Sequence, residues 1–163
     1  NMGVGGSGID GIYHNLKLLH KQHNFNQCVI LFPNFERRVV RCKIDGMYIG
    51  MHSTVDLSSA TSEYHFYRNK DLVAKMQKVR DRILGDTENR YSKFFLNKII
   101  NYCNDNNIKL SASSWDDEVY DYLQTKDSIE LINKFPKLSL FKERADDGGH
   151  PHKNHYQYFT DSF

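Results

Sequence analysis

Apolar residues recur along this chain in short periodic segments separated by polar, glycine-rich or asparagine-rich turns. Ile9, Ile12 or Tyr13, Leu16 and Leu19 fall at helical spacing. This predicts a helix after the glycine-rich opening, with Ser7 or Asp10 as its cap. Asn24 and Asn26 mark a turn, and Cys28-Val29-Ile30-Leu31-Phe32 then forms an unbroken apolar run. Continuous rather than alternating apolar residues predict a strand buried on both faces, ended by Pro33 and Asn34. Lys43 to Ser62 mixes turn residues with short runs of no clear period and is expected to pass over the surface. Leu72, Met76, Val79 and Ile83 keep one face of a helix that Gly85 stops. Tyr91, Phe95, Ile99 and Tyr102 do the same for a second helix, which leaves through the turn Asn104-Asp105-Asn106-Asn107. Ile108 to Trp115 then looks like a strand, and Asp116 to Leu123 like a short helix. Pro136 and a late glycine loop frame a terminal helix from about Lys153.

Helix, short turn and strand in that order are half of a parallel βαβ unit. The expected fold is therefore α/β, a sandwich with a mainly parallel sheet. Sites in such sheets lie outside the carboxyl ends of the strands. Asn34, the segment Ser113-Ser114-Trp115-Asp116 and the late glycine loop are the candidates for that position.

At 163 residues, the chain is the size of one domain and long enough to bury a core. Hydrophobic residues make up 39%, somewhat low, but 13% aromatics bury large areas each. A net charge of +2, from 22 basic and 20 acidic residues, leaves no electrostatic footprint for nucleic acid. Arg37, Arg38 and Arg41 form a local cluster, read as a solvated or salt-bridged face. Cys28, Cys42 and Cys103 are odd in number and unrelated in spacing, against a disulfide framework and for a cytoplasmic or otherwise reducing compartment. No apolar run approaches the roughly 20 residues of a membrane helix, and no signal-peptide pattern is visible.

The segment richest in chemistry is Asp146-Asp147-Gly148-Gly149-His150-Pro151. The two glycines let the loop turn tightly, so the Asp147 carboxylate can orient the His150 ring. Pro151 biases His150 away from helical geometry. A carboxylate holding an imidazole in one tautomer is two thirds of a nucleophilic triad. Asn34, just past a strand, can donate its side-chain amide to a developing negative charge. The glycine-rich opening adds backbone N–H groups at a helix start.

These segments resemble, in order, three of the four blocks of the SGNH (GDSL-like) hydrolases, mostly esterases and lipases acting on acyl and acetyl groups. Asn1-Met2-Gly3-Val4-Gly5-Gly6-Ser7-Gly8 is similar to the second block, and Val29 to Asn34 to the third. Asp147-Gly148-Gly149-His150-Pro151 matches the last block, Asp-x-x-His-Pro. The resemblance implies a flavodoxin-like, three-layer α/β/α sandwich spanning residues 1–163 as a single domain. It implies His150 and Asp147 as catalytic residues, Gly6 and Asn34 as oxyanion donors, and no metal or cofactor. The substrate implied is a small-molecule or carbohydrate ester. The family's nucleophilic serine and first strand belong to a block with no counterpart here, so both are expected upstream of Asn1.

Four alternatives stand beside this. His150, His152 and His155 with Asp146 and Asp147 are potential metal ligands, at spacings that match no zinc signature. Ser113 or Ser114 is a potential substitute nucleophile, and Tyr64-His65-Phe66-Tyr67 either a pocket wall or core. The chain as a whole is either an esterase or a non-catalytic carbohydrate-binding or structural module on the same fold.

Overall fold

A computed structural model describes residues 7–41, 48–53 and 70–134. Its elements run α1 (Ile9–His23), β1 (Gln27–Phe32), β2 (Arg38–Arg41), β3 (Tyr48–Met51), α2 (Lys70–Gly85), α3 (Arg90–Asp105), β4 (Lys109–Ser114), α4 (Asp117–Gln124) and β5 (Glu130–Leu131). Two compact units share them: Asn1–Asn24 with Phe35–Ile99, and Phe25–Asn34 with Ile100–Phe163.

In the second unit β1, β4 and β5 form a parallel sheet in the order β1-β4-β5, giving the α/β class. Gln27 pairs with Lys109 and the register runs to Phe32 opposite Ser114. Asn107, at φ 54°, takes the left-handed turn that closes α3, and the Ile108 amide donates to the Cys103 carbonyl at 2.8 Å. Asparagine tolerates that geometry because its short polar side chain can bond locally. Asp116 caps α4, its carboxylate accepting from the Val119 amide at 3.1 Å. Ile30, Phe32, Leu110, Ala112, Val119, Leu123 and Ile132 supply this unit's core.

β1 corrects one expectation. Val29 is 40% exposed and Gln27 is open, so the apolar run is not buried on both faces. Among the described residues β1 is an edge of its sheet, which leaves its early residues partly uncovered.

The first unit holds an antiparallel ribbon, β2 with β3, in which Arg38 pairs with Met51 and Val40 with Ile49. Val40 and Met51 pack with Leu72, Met76 and Ile83 of α2, and Val79 lies against them. The expectation of a surface excursion over Lys43 to Ser62 therefore fails at Met51, which is 1% exposed. A four-residue strand offers too few positions to show a period. Residues 43–47 and 54–62 of that stretch, the glycine loop and the helix expected from Lys153 lie outside the described residues.

Two finer expectations also shift. Gly8 is the N-cap of α1 with no side-chain cap, so neither Ser7 nor Asp10 performs that role. In α3 the buried stripe is Ser92, Leu96, Ile99, Ile100 and Cys103; it keeps Ile99 of the predicted face and otherwise lies one position on from Tyr91, Phe95 and Tyr102. Tyr91 is 45% exposed, and its ring and that of Phe95 flank the stripe. Large rings attract a hydrophobic assignment, but here a serine is buried because it has polar partners.

Candidate functional site

Those partners centre on Arg38. Its guanidinium is nearly buried, with the side chain 7% exposed. Nη1 donates to the carbonyls of Phe35 and Arg37, the latter at 3.0 Å, and to the Ser92 hydroxyl. Nη2 reaches Asp86 Oδ2 at 3.4 Å, and the guanidinium carbon lies 4.6 Å from the centre of the Tyr91 ring. Ser92 passes its own proton to the Phe35 carbonyl at 2.7 Å. Of the cluster expected on a solvated or salt-bridged face, Arg38 is salt-bridged, and buried rather than solvated. Burial pushes the Arg38 pKa down, against the opposing pull of Asp10 and Asp86.

Asp10 is the second charged member. Its Oδ1 accepts from the Gly11 amide at 2.9 Å. Its Oδ2 accepts from the Val39 amide and the Tyr91 hydroxyl, both at 3.3 Å. Burial raises the Asp10 pKa above the ordinary carboxylate range, while the Val39 and Gly11 amides and Arg38 pull it back. Burial and the neighbouring Asp10 charge raise the Tyr91 phenol. Asp86, besides meeting Arg38, accepts from the Arg90 and Tyr91 amides at 2.8 and 2.9 Å and so caps the start of α3.

Glycine is what allows α1 to approach this centre. A Cβ on Gly8 would stand 2.5 Å from the Arg37 carbonyl oxygen and 2.6 Å from Asp10 Oδ1. A Cβ on Gly11 would meet the Ser7 hydroxyl and come within 3.0 Å of Val39 Cγ1. The opening of α1 is therefore seated directly on β2, with Asp10 as its polar anchor. A cavity of about 340 Å³ lies beside it, lined by Asp10, Arg38, Val39, Val79, Arg82, Asp86, Arg90 and Tyr91. That is the small end of the range for ligand pockets, about 300–1,000 Å³. Nη1 and Nη2 of Arg38 both bond protein oxygens, so the guanidinium ties backbone carbonyls to the segment that starts α3.

Of the predicted site residues, Asn34 is described: it follows β1 directly after the buried Pro33 and is half-buried. Asp147, His150 and Gly6 lie outside the described residues, as do Asp146, His152, His155 and the Tyr64–Tyr67 cluster. Ser113 and Ser114, considered as substitute nucleophiles, are 1% and 0% exposed. Ser113 donates to the Asn133 carbonyl at 2.8 Å and Ser114 to the Phe32 carbonyl at 2.9 Å, while Ser114 also accepts from the Asp116 amide. Both hydroxyls are spent on the sheet and its exits, which corrects that alternative.

Among the described residues no group of three His, Cys, Asp or Glu side chains could hold a metal ion. No described helix is long and apolar enough to cross a membrane. Comparison with protein-family models, curated proteins and solved structures returns no match.

Proposed function

We propose that this chain belongs to an ester hydrolase of the SGNH type, acting on acyl or acetyl esters through a serine–histidine–aspartate mechanism on an α/β/α sandwich. The observation that carries the proposal is the order of three motifs, ending in Asp147-Gly148-Gly149-His150-Pro151. Support comes from β1, a strand of a parallel sheet that runs straight into Asn34. The carboxyl end of a parallel strand is where α/β proteins carry functional groups.

In this mechanism His150 takes the proton of the nucleophilic serine as the serine oxygen attacks the ester carbonyl. Asp147 accepts from the other ring nitrogen, holding the tautomer and stabilising the imidazolium. The Gly6 amide and the Asn34 side-chain amide donate to the tetrahedral oxyanion. His150 then protonates the leaving alkoxide, and water repeats the sequence to release the acid. No metal or cofactor is required for these steps, and a reducing compartment is proposed with them.

A fluorophosphonate probe, which reacts with activated serines, tests this on the full-length protein. We expect stoichiometric labelling of one serine, lost in His150→Ala. Absence of labelling in the folded wild type would overturn the esterase and leave the binding module.

A further inference from the structure

Cys28 and Cys103 are 75 positions apart in sequence, yet their sulfurs are 3.9 Å apart in the second unit. Both are mounted on fixed backbone. Cys28 lies in β1, paired with Leu110 of β4. Cys103 ends the buried stripe of α3, and its carbonyl is held by the Ile108 amide at 2.8 Å. Cys28 is half-buried and Cys103 buried, so only one of the two meets solvent. A disulfide needs about 2.05 Å between sulfurs, a closure within reach of side-chain rotation from contact distance.

We propose that Cys28 and Cys103 form a reversible, peroxide-driven disulfide that ties the start of β1 to the end of α3, with Cys28 as the reacting thiol and Cys103 as the resolving one. The two roles differ for physical reasons. Cys28 is the thiol that meets solvent, and once it ionises the Cys103 thiol 3.9 Å away is placed to donate to it, which holds the Cys28 pKa down. That same contact, with burial, raises the Cys103 thiol far above its ordinary range. A partly exposed thiolate beside a resolving thiol is the arrangement that oxidant-sensing cysteines share.

The Cys28 thiolate attacks one oxygen of hydrogen peroxide; the O–O bond breaks, hydroxide leaves and is protonated to water, and Cys28 becomes a sulfenic acid. The Cys28 negative charge is now gone, and with it two of the causes that kept Cys103 protonated. Cys103 loses its proton and attacks the Cys28 sulfur. The S–O bond breaks, and hydroxide takes up a proton to leave as the second water. Two thiols and one peroxide give one disulfide and two waters, and a dithiol reductant reverses the change. Because β1 ends at Phe32, two residues before Asn34, the bond would stiffen the strand that leads to that residue. This inference stands on the sulfur geometry alone and does not depend on the esterase proposal.

The test treats the full chain with hydrogen peroxide, then digests it without reductant for mass spectrometry. We expect a Cys28–Cys103 cross-linked peptide, about 2 Da lighter than its two parts, that disappears with dithiothreitol. The same cross-link forms in Cys42→Ser, and the oxidised protein melts at a higher temperature than the reduced one. In Cys103→Ser the Cys28 sulfenic acid persists and is trapped by dimedone, whereas in Cys28→Ser residue Cys103 stays reduced. Wild-type protein that traps dimedone as fully as Cys103→Ser, or that cross-links mainly through Cys42, would overturn the proposal. So would a Cys103 that oxidises first.

Discussion

In the unit of Asn1–Asn24 and Phe35–Ile99, the described polar groups taken out of water include charges: Arg38 and Asp10 are 6% and 4% exposed, with the Ser92 hydroxyl bound to Arg38. In the unit of Phe25–Asn34 and Ile100–Phe163, they are hydroxyls, Ser111, Ser113 and Ser114, each at 1% or less. The hydroxyls finish a parallel ladder that would stand largely on backbone pairing. The charges do what no ladder does there: Arg38 joins the turn before β2 to the start of α3, and Asp10 joins the opening of α1 to β2 and α3. Charge is the more costly material, because desolvation of each ion is offset only while every partner stays in place. The two units should therefore fail differently.

The largest difference is expected at Arg38. Arg38→Met leaves Asp10 and Asp86 facing a buried apolar chain, and should cost about 3–5 kcal/mol in urea denaturation. Adding Asp10→Asn should return part of that loss, since the uncompensated charge goes with it. A cost below about 1 kcal/mol would mean that the centre is solvated after all.

Ser114→Ala is the matching cut in the other unit. It removes the donor to the Phe32 carbonyl and the acceptor of the Asp116 amide. About 1–3 kcal/mol is expected, the range for leaving buried polar groups unmet. If it equals the loss at Arg38, the contrast between the units collapses.

Gly8→Ala sharpens the picture of α1 seated on β2. The added methyl would collide with the Arg37 backbone carbonyl, which cannot swing aside as a side chain would. We expect a loss of about 1–3 kcal/mol. Gly85→Ala is the control: a Cβ there meets nothing within 4 Å, and about 0.4–1 kcal/mol of gain is expected from the restricted unfolded chain.

The smallest effect is a slope. Asp10 has a raised pKa in the folded state, so the folded chain holds this proton more tightly than the unfolded one. Its contribution is fully present below about pH 3.9, the unfolded value, and is lost as pH rises through the raised folded value. Wild-type stability minus that of Asp10→Asn should thus fall as pH rises from about 4. A difference that stays flat, or climbs with pH, would show that hydrogen bonds from Val39, Gly11 and Tyr91 outweigh burial.

How much of this could be read from residue order follows the same division. α1, α2, α4 and the strand after Asn107 were legible because each repeats one period over a whole element and ends at a glycine, an asparagine or a capping aspartate. A mainly parallel sheet was expected from a helix and a short turn leading into a strand; that β1 pairs with β4 is seen only in the structure. The Arg38 centre was not legible. Asp10, Arg38, Asp86 and Ser92 come from four separate segments, and each alone looks like an ordinary surface residue. One signal was present: Gly11, beside Asp10, lies inside a helix, where glycine costs stability unless a neighbour must come close. β3 was hidden by its length, and the sulfur pair by a separation that no spacing rule spans. Of the candidate triad and oxyanion-hole residues, Asn34 alone falls within the described residues, two positions after the end of β1.

The central claim is that Asp147-Gly148-Gly149-His150-Pro151 is catalytic while the Arg38 centre is structural. Hydrolysis of p-nitrophenyl acetate by the full-length protein, wild type against His150→Ala, tests it most directly. We predict a fall in kcat of at least about 10³-fold, with the melting temperature unchanged. A His150→Ala protein that still turns over at the wild-type rate would contradict it.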